Sequence, residues 1–418
     1  MKYANYIKYM NSFPKAEGGT DISLKRLNEL CGLLGRVNIG IKSICLPDGS
    51  TGHACAVLLE SIIEKSGLRA GRISSAYGFD SRKSVYVNKK IPSIEDFSKS
   101  VEALQAAVQK MPGQRFCREE VTFALSLLLC RLSGCDYVIF EGTTQAGFSL
   151  DSVCTPYDLI VMPTVYENKG ASDKIKPLCD AIRRGVREVI SGNQRSEVYN
   201  IISNFCAMSG IRLYIPVKSQ FAVAEASLKR LSFSYGGRDG YILKSPSFML
   251  RDCAMLCIET ALAIRRAGVK IPWSAIQSGL SDASGYSCFD LISASPVLLT
   301  DSARSCEEIK QLLKTIDSLN AKSEKLSICV RFENDELLRS QISAFEDREI
   351  EQIILFSDQE TEISDLGSYQ EKIGTFKTLK SCAKRVIEIS RNCDTVICFG
   401  SVEFAEEVKG EILKIMSY

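Results

Sequence analysis

Lys42-Ser43-Ile44-Cys45-Leu46-Pro47-Asp48-Gly49-Ser50-Thr51-Gly52-His53 is the stretch around which the rest of the chain is organised. Ile44-Cys45-Leu46 is a short apolar run with β-branched character, and Pro47 to His53 is a turn-rich break. Behind the break, Ala54, Val57, Leu58, Ser61, Ile62 and Lys65 follow helical spacing with apolar positions on one face, and Gly67 supplies a stop. Strand, loop and helix in this order make the place where a nucleotide-binding fold cradles phosphate. Glycines there let several backbone N–H groups converge on phosphate oxygens at a helix N-terminus, while a lysine supplies charge and a serine or threonine holds Mg²⁺. Gly49 and Gly52 are present and the lysine is not. Ordinary turns before helices share this Gly/Ser composition, so both readings stay open on the loop alone.

Outward from the loop the pattern is βαβα. Arg72 to Ser75 and Val85 to Ile91 read as strands, Ser93 as the cap of a helix, and either Asp21 or Ser23 as the cap of the earlier helix Leu24 to Leu34. The helix Glu119 to Leu132, the strand Asp136 to Glu141, the turn-rich Gly142 to Ser152 and the strand Asp158 to Pro163 follow. Tyr137-Val138-Ile139-Phe140 is almost wholly apolar, as expected of a parallel strand covered on both faces, so Ile44 to Leu46, Asp136 to Phe140 and Asp158 to Met162 should be neighbours in one mostly parallel sheet. Ala171 to Ile202 reads as a single basic helix with a solvated face, Ile211 to Ile215 as a strand, and Met249 to Ala267 as an inner helix. Gly, Ser and Asp gather near Gly279 to Gly285, which suits a linker. Beyond it, alternating strands and helices from Val297 to Leu413 predict a second α/β body. The fold class is therefore α/β: a P-loop-type, mostly parallel sheet domain over 1–284, then a smaller Rossmann-like domain over 285–418.

The totals agree with a globular chain. At 418 residues two domains are expected, and 45% hydrophobic with 24% charged residues argues against disorder. A formal net charge of +2 implies neither nucleic acid nor an anionic membrane as a partner. The 17 cysteines are scattered without a paired C-x-x-C set, Met1 to Asn5 begins no apolar signal segment, and reduced thiols in a cytoplasmic protein fit best. The longest apolar stretch, Val121 to Leu132, is far too short for a membrane span and reads as a buried helix.

Taken together, these pieces resemble the folylpolyglutamate synthase/dihydrofolate synthase branch of the Mur-ligase family, over essentially the whole chain. Leu33-Leu34-Gly35 is similar to the end of the family's opening helix, and Pro47 to His53 falls where the family has glycine-threonine-asparagine-glycine-lysine-glycine-serine. Gly71 to Tyr77 takes the place of a glycine followed by threonine-serine-proline-histidine. Glu119 and Thr122 keep a Glu-x-x-Thr pattern, Asp301 stands where the family has the aspartate of an aspartate-glycine-alanine-histidine-asparagine motif, and Phe399-Gly400-Ser401 resembles a last-strand threonine-glycine-serine. The resemblance implies a Mur-ligase-like central domain and a C-terminal ligase-type domain. It places nucleotide contacts on Asp48, Gly49, Ser50, Thr51, Gly52, His53 and Asp301, with a metal at Ser75 and Glu119.

The departures fall on chemistry. The loop lysine is Thr51, its serine neighbour is His53, the metal-completing aspartate-histidine pair reads Tyr166-Glu167-Asn168, and the lysine carbamylated in the family lands on Leu178. The adenine-side histidine and asparagine read Arg304 and Ser305, and a glutamine-x-x-asparagine on the inner helix reads Ala254 and Cys257. In the family a carboxylate is phosphorylated by ATP and an amino group displaces the acyl phosphate. Losing one cationic donor in such a reaction costs on the order of 10² to 10³ in rate. The resemblance so altered implies a folylpolyglutamate synthase-like protein that is catalytically degenerate, with a binding or regulatory role and a nucleotide, anion or folate-like ligand. The alternative is an active ligase that adds glutamate or another amino acid to a folate-like carboxylate, with ATP and Mg²⁺. Bland readings stand beside the site residues: Ser75 as a strand-end hydrogen-bonding serine, Glu119 as a charge at a helix N-terminus, His53 as a capping or surface group, and Asp48 as a helix cap. A protonated His53 would add charge to the loop at mildly acidic pH, from an unperturbed pKa of about 6.5.

Overall fold

The computed structural model describes residues 3–16, 22–74, 80–142, 144–145, 148–166, 171–319, 325–358 and 367–417. Its larger sheet has seven strands in the order Val85–Val87, Ala70–Ser74, Tyr137–Glu141, Ser43–Leu46, Tyr157–Met162, Val186–Ser191 and Arg212–Tyr214. All pairings are parallel except that of Val85–Val87 with Ala70–Ser74. Ser43–Leu46 lies between Tyr137–Glu141 and Tyr157–Met162, in the register Ile44 to Ile139 and Ile44 to Leu159, so the three apolar runs are neighbours as the sequence predicts. Period-two alternation splits their side chains between two cores. Cys45, Val138, Phe140 and Ile160 face the helices Ile94–Gln109 and Arg118–Leu132, while Ile44, Ile139, Leu159 and Val161 face Ser50–Lys65 and Phe248–Arg266.

Local chemistry explains the helix starts. Ser23 accepts from Arg26 N at 3.3 Å and Ser93 from Asp96 N at 3.0 Å, the caps the sequence offered; Asp21 lies outside the described residues. Two segments depart from the sequence reading. The single helix expected over Ala171 to Ile202 is a helix Ala171–Arg184, a strand Val186–Ser191 and a helix Ser196–Met208. Gly185, at φ +110°, ends the first helix, and the β-branched run Val186, Val189, Ile190 then fits the pleat between two parallel neighbours. A three-stranded antiparallel sheet, Phe221–Ser227, Arg230–Tyr235 and Arg238–Leu243, which the alternation did not reveal, packs Leu231, Phe233 and Tyr241 into the core that Ser50–Lys65 and Phe248–Arg266 share with the larger sheet.

The second sheet runs Asp290–Ala294, Val297–Asp301, Thr395–Phe399, Leu326–Arg331, Ile350–Phe356 and Ile373–Phe376, antiparallel at the first pair and parallel elsewhere. The helices Cys306–Ser318 and Asp335–Ile342 cover one face, and Leu379–Ser390 and Val402–Met416 the other. Among the described residues no helix is long and apolar enough to cross a membrane. All 17 cysteines are free thiols, and all but Cys135 are buried.

Candidate functional site

The loop after Ser43–Leu46 is shaped by close approaches. A Cβ on Gly52 would stand 2.0 Å from the Pro47 carbonyl oxygen, and one on Gly142 would stand 2.8 Å from the Asp48 carboxylate, so both positions require glycine. Gly49, at φ +105°, is the N-cap of the helix Ser50–Lys65, and no side chain caps that end. The Asp48 carboxylate accepts from Gly49 N at 2.9 Å instead of reaching the helix. Capping by Asp48 is therefore not the arrangement found.

His53 ends the loop, and its position corrects the surface or capping reading: the residue is 7% exposed. Its Nδ1 lies 2.8 Å from Glu141 Oε1, at the end of Tyr137–Glu141, and its Nε2 lies 2.8 Å from the Gly285 carbonyl oxygen. A carbonyl can only accept, and so can a carboxylate, so the site favours the imidazolium, in which both ring nitrogens donate. Burial works against that charge. The Glu141 carboxylate and the Gly285 carbonyl outweigh burial and the repulsion of Arg72, and raise the His53 pKa above its ordinary value of 6.5. The other Glu141 oxygen accepts from Arg72 Nη1 at 2.8 Å, and Arg72 Nε donates to Glu60 Oε2 at 3.0 Å. Burial pushes the Glu141 carboxyl up, but the two cations beside it win and hold it at about 2. The result is a buried quartet of alternating charge, Glu60, Arg72, Glu141 and His53.

Asp301 reaches the same junction from the second sheet. Its neighbour Ser302 offers a carbonyl oxygen that accepts from Ser50 Oγ at 2.8 Å, so two of the first four residues of the helix Ser50–Lys65 are tied to backbone carbonyls that flank the first two strands of the second sheet, Ser50 to Ser302 and His53 to Gly285. Asp301 itself is 1% exposed and accepts from Phe289 N and Ala303 N, each at 2.7 Å. Burial raises its pKa to about 7, the two N–H groups oppose, and the carboxylates of Glu308 and Asp290 add to the rise. Ser287 and Phe289 have φ of +51° and +52°, and the Asp301 bond to Phe289 N holds this strained segment in place.

The structure thus gathers Asp48 to His53 and Asp301 at one junction. The expected metal ligands fare differently. Ser75 lies outside the described residues, as do Glu167 and Asn168. Glu119 sits in the first turn of Arg118–Leu132, and its Oε2 accepts from Ala16 N at 3.0 Å, which pins the N-terminal segment. Among the described residues no group of three or more His, Cys, Asp or Glu side chains is placed to hold a metal ion. Leu178 is buried in the apolar core, Arg304 pairs with Glu333, and Ser305 caps Cys306–Ser318 in a capping box with Glu308. Ala254 and Cys257 are buried on Phe248–Arg266, where the Cys257 thiol donates to Cys55 O. Glu141, Arg72 and Glu60 were missed from the sequence; a glutamate closing an otherwise apolar strand was the one available signal.

No protein-family model matches the sequence, and a search of curated proteins finds no match. Solved structures do match. A folylpolyglutamate synthase from Thermotoga maritima superposes with a TM-score of 0.76 at 16% identity, over 98% of this chain and 96% of its own. A Mycobacterium tuberculosis folylpolyglutamate synthase complexed with ADP gives 0.79 at 14% identity, over 100% of this chain and 99% of its own. A folylpolyglutamate synthase complex with AMPPCP and folate gives 0.78 at 17% identity, over 99% and 100%. End to end, this chain has the two-domain fold of the folylpolyglutamate synthases of the Mur-ligase group.

Proposed function

We propose that this protein is a catalytically degenerate relative of the folylpolyglutamate synthases, a binding or regulatory protein on a ligase scaffold. One observation carries the reading: His53, at the last position of the phosphate loop, spends both ring nitrogens on Glu141 and Gly285. The cation that the loop contributes is neutralised by Glu141. Thr51, in place of a lysine, offers no charge to a phosphate, and the Ser50 hydroxyl is already given to Ser302 O.

Among the described residues, the donors do not fit Mg²⁺. A hard divalent ion wants several oxygen ligands, and Glu141, which ends the strand beside Ser43–Leu46, has both oxygens engaged by His53 and Arg72. ATP is met by the same loop only through backbone N–H groups, so the ligand of this reading is a nucleotide or smaller anion without metal, with a folate-like molecule as the second candidate.

Two measurements test it. In a coupled phosphate-release assay with ATP, glutamate and a reduced folate, no turnover comparable with an active folylpolyglutamate synthase is expected, and Thr51→Lys alone should not restore it. Robust ATP-dependent glutamate addition would refute the reading. Titration of ATP with and without Mg²⁺ should give the same weak affinity in both arms; a strong Mg²⁺ dependence would return the site to the ligase alternative.

A further inference from the structure

The helix Arg118–Leu132 ends in a turn that brings two cysteines together. Gly134 takes φ +65° and donates its N–H to Arg131 O at 3.1 Å, and Cys135 N donates to Cys130 O, also at 3.1 Å. This pair of bonds is the Schellman cap, in which two side chains five positions apart meet across the helix end. Here those side chains are Cys130 and Cys135. Both sulfurs close over the bare Cα of Gly71 on the neighbouring strand, where a Cβ would lie 2.6 Å from the Cys130 sulfur and 3.1 Å from that of Cys135. Two small apolar side chains completing a cap would explain this much and no more.

Three further observations go beyond packing. Cys135 is half-buried where every other cysteine of the chain is buried, so it alone is open to a solute. The Cys130 thiol hydrogen-bonds the Cys135 sulfur, so the two lie within reach of each other. Arg69 stands beside them, its guanidinium fixed by a 2.7 Å bond to Ser133 O. The Cys130 hydrogen bond and the Arg69 charge, against burial and the Asp136 carboxylate, lower the Cys135 pKa, while Cys130 is pushed far up. A half-buried thiol with a lowered pKa beside a buried thiol is the arrangement of an attacking and a resolving cysteine.

We infer that Cys130 and Cys135 form a peroxide-reactive pair that closes to a disulfide across the cap of Arg118–Leu132. The Cys135 thiolate attacks one oxygen of a hydroperoxide, the O–O bond breaks, and the leaving oxygen departs as hydroxide or alkoxide, leaving Cys135 as the sulfenic acid. Cys130 then attacks that sulfur and the S–O bond breaks. Its proton goes to the departing hydroxide, so the two thiols give up two electrons and the peroxide is reduced. The sulfurs move toward each other over Gly71, and the next residue on that strand is Arg72 of the buried quartet.

The test uses the full chain, reduced, freed of reductant, exposed to hydrogen peroxide, blocked with N-ethylmaleimide and cut by trypsin without reduction. Cleavage after Arg131 separates the cysteines. The expected product is peptide 119–131 joined to peptide 132–169, with fragmentation placing the bond at Cys135 rather than Cys154, loss of the free thiols of Cys130 and Cys135 before those of any other cysteine, and reversal by dithiothreitol. Cys135→Ser should abolish the link, and Cys130→Ser should leave a sulfenic acid at Cys135 that dimedone traps. If Cys130→Ser does not fold, the wild-type link and its loss in Cys135→Ser decide. Oxidation beginning at another cysteine, or Cys135 running on to the sulfinic acid with no link to Cys130, would overturn the inference.

Discussion

Glu141 and Asp301 end strands of two different sheets, both nearly free of solvent at 5% and 1% exposure, yet they ionise in opposite senses. Glu141 meets two cations, His53 and Arg72, and is held at about 2. Asp301 meets two backbone N–H groups and, among the described residues, no ion-pair partner, and burial carries it to about 7. Burial is common to both, so the formal charge of the partners decides the outcome. The difference also separates their work: Glu141 organises a charged cluster at the loop Pro47 to His53, while Asp301 props the strained Ser287 to Phe289 segment.

The largest effect should come from removing the charge that makes Glu141 different. Glu141→Gln leaves His53 and Arg72 buried with less negative charge than they need, and loss of one partner of a buried ion pair costs about 3–5 kcal/mol. Urea denaturation should show that drop; a change within half a kcal/mol would mean that the quartet is not formed. His53→Ala is the next step down, at about 1–3 kcal/mol, since it unpairs the Gly285 carbonyl and one Glu141 oxygen. The pH dependence sharpens the comparison. Because the Glu141 pKa is lowered from 4.5, its stabilisation is complete above that value and is lost as pH falls toward about 2. Because the His53 pKa is raised from 6.5, its contribution is complete below 6.5 and is lost as pH rises through the raised value. Asp301, raised from 3.8 to about 7, loses stability across that interval and no further above it. Midpoints measured from pH 2 to pH 9 should show each limb, with Glu141→Gln flattening the acid one and His53→Ala the alkaline one. For Asp301→Asn, the loss of an acceptor for one of two N–H groups makes the variant weaker at pH 4, and the gap should narrow toward pH 8 because the variant has no ionisation to suppress. A gap that widens with pH would break the contrast between the two carboxylates.

Much of the scaffold was legible because it depends on local composition. The runs at Ile44, Tyr137 and Leu159 are apolar on both faces, and only a covered parallel sheet satisfies them. Val186–Ser191 was hidden because the basic pattern of the preceding helix runs straight into it, and Gly185 was the one signal of a break. The hairpins from Phe221 to Leu243 escaped because their neighbours were read as alternating strands and helices. The site was legible only in part, for a reason of distance: His53 finds its partners 88 and 232 residues away. No spacing rule reaches that far, and the sequence could offer the histidine but neither the carboxylate nor the carbonyl that fix its charge.

The smallest effect lies at the loop itself. The helix Ser50–Lys65 presents its first N–H groups without a side-chain cap, Gly49 and Gly52 leave the backbone bare, and Asp48 turns its carboxylate onto Gly49 N. A helix end of this kind contributes about 0.3–1 kcal/mol toward an anion, so inorganic phosphate should bind far more weakly than millimolar and without Mg²⁺. The sequence reading has His53 adding charge to the loop in mild acid. The structure opposes that, because the ring faces Glu141, which matches its charge. Phosphate affinity should therefore not rise through a His53 titration between pH 7 and pH 5.5. What opposes the anion is the exposed Asp48 carboxylate beside the helix end. Asp48→Asn should tighten phosphate about two- to fivefold, the factor that corresponds to removing a charge effect of this size. Titration followed by amide chemical shifts at Ser50 to Gly52 would read both effects. Affinity unchanged by Asp48→Asn, with no shift at those amides, would mean that the loop has closed to anions altogether, and that the contacts of Ser50 and His53 across the domain junction have taken the place of phosphate.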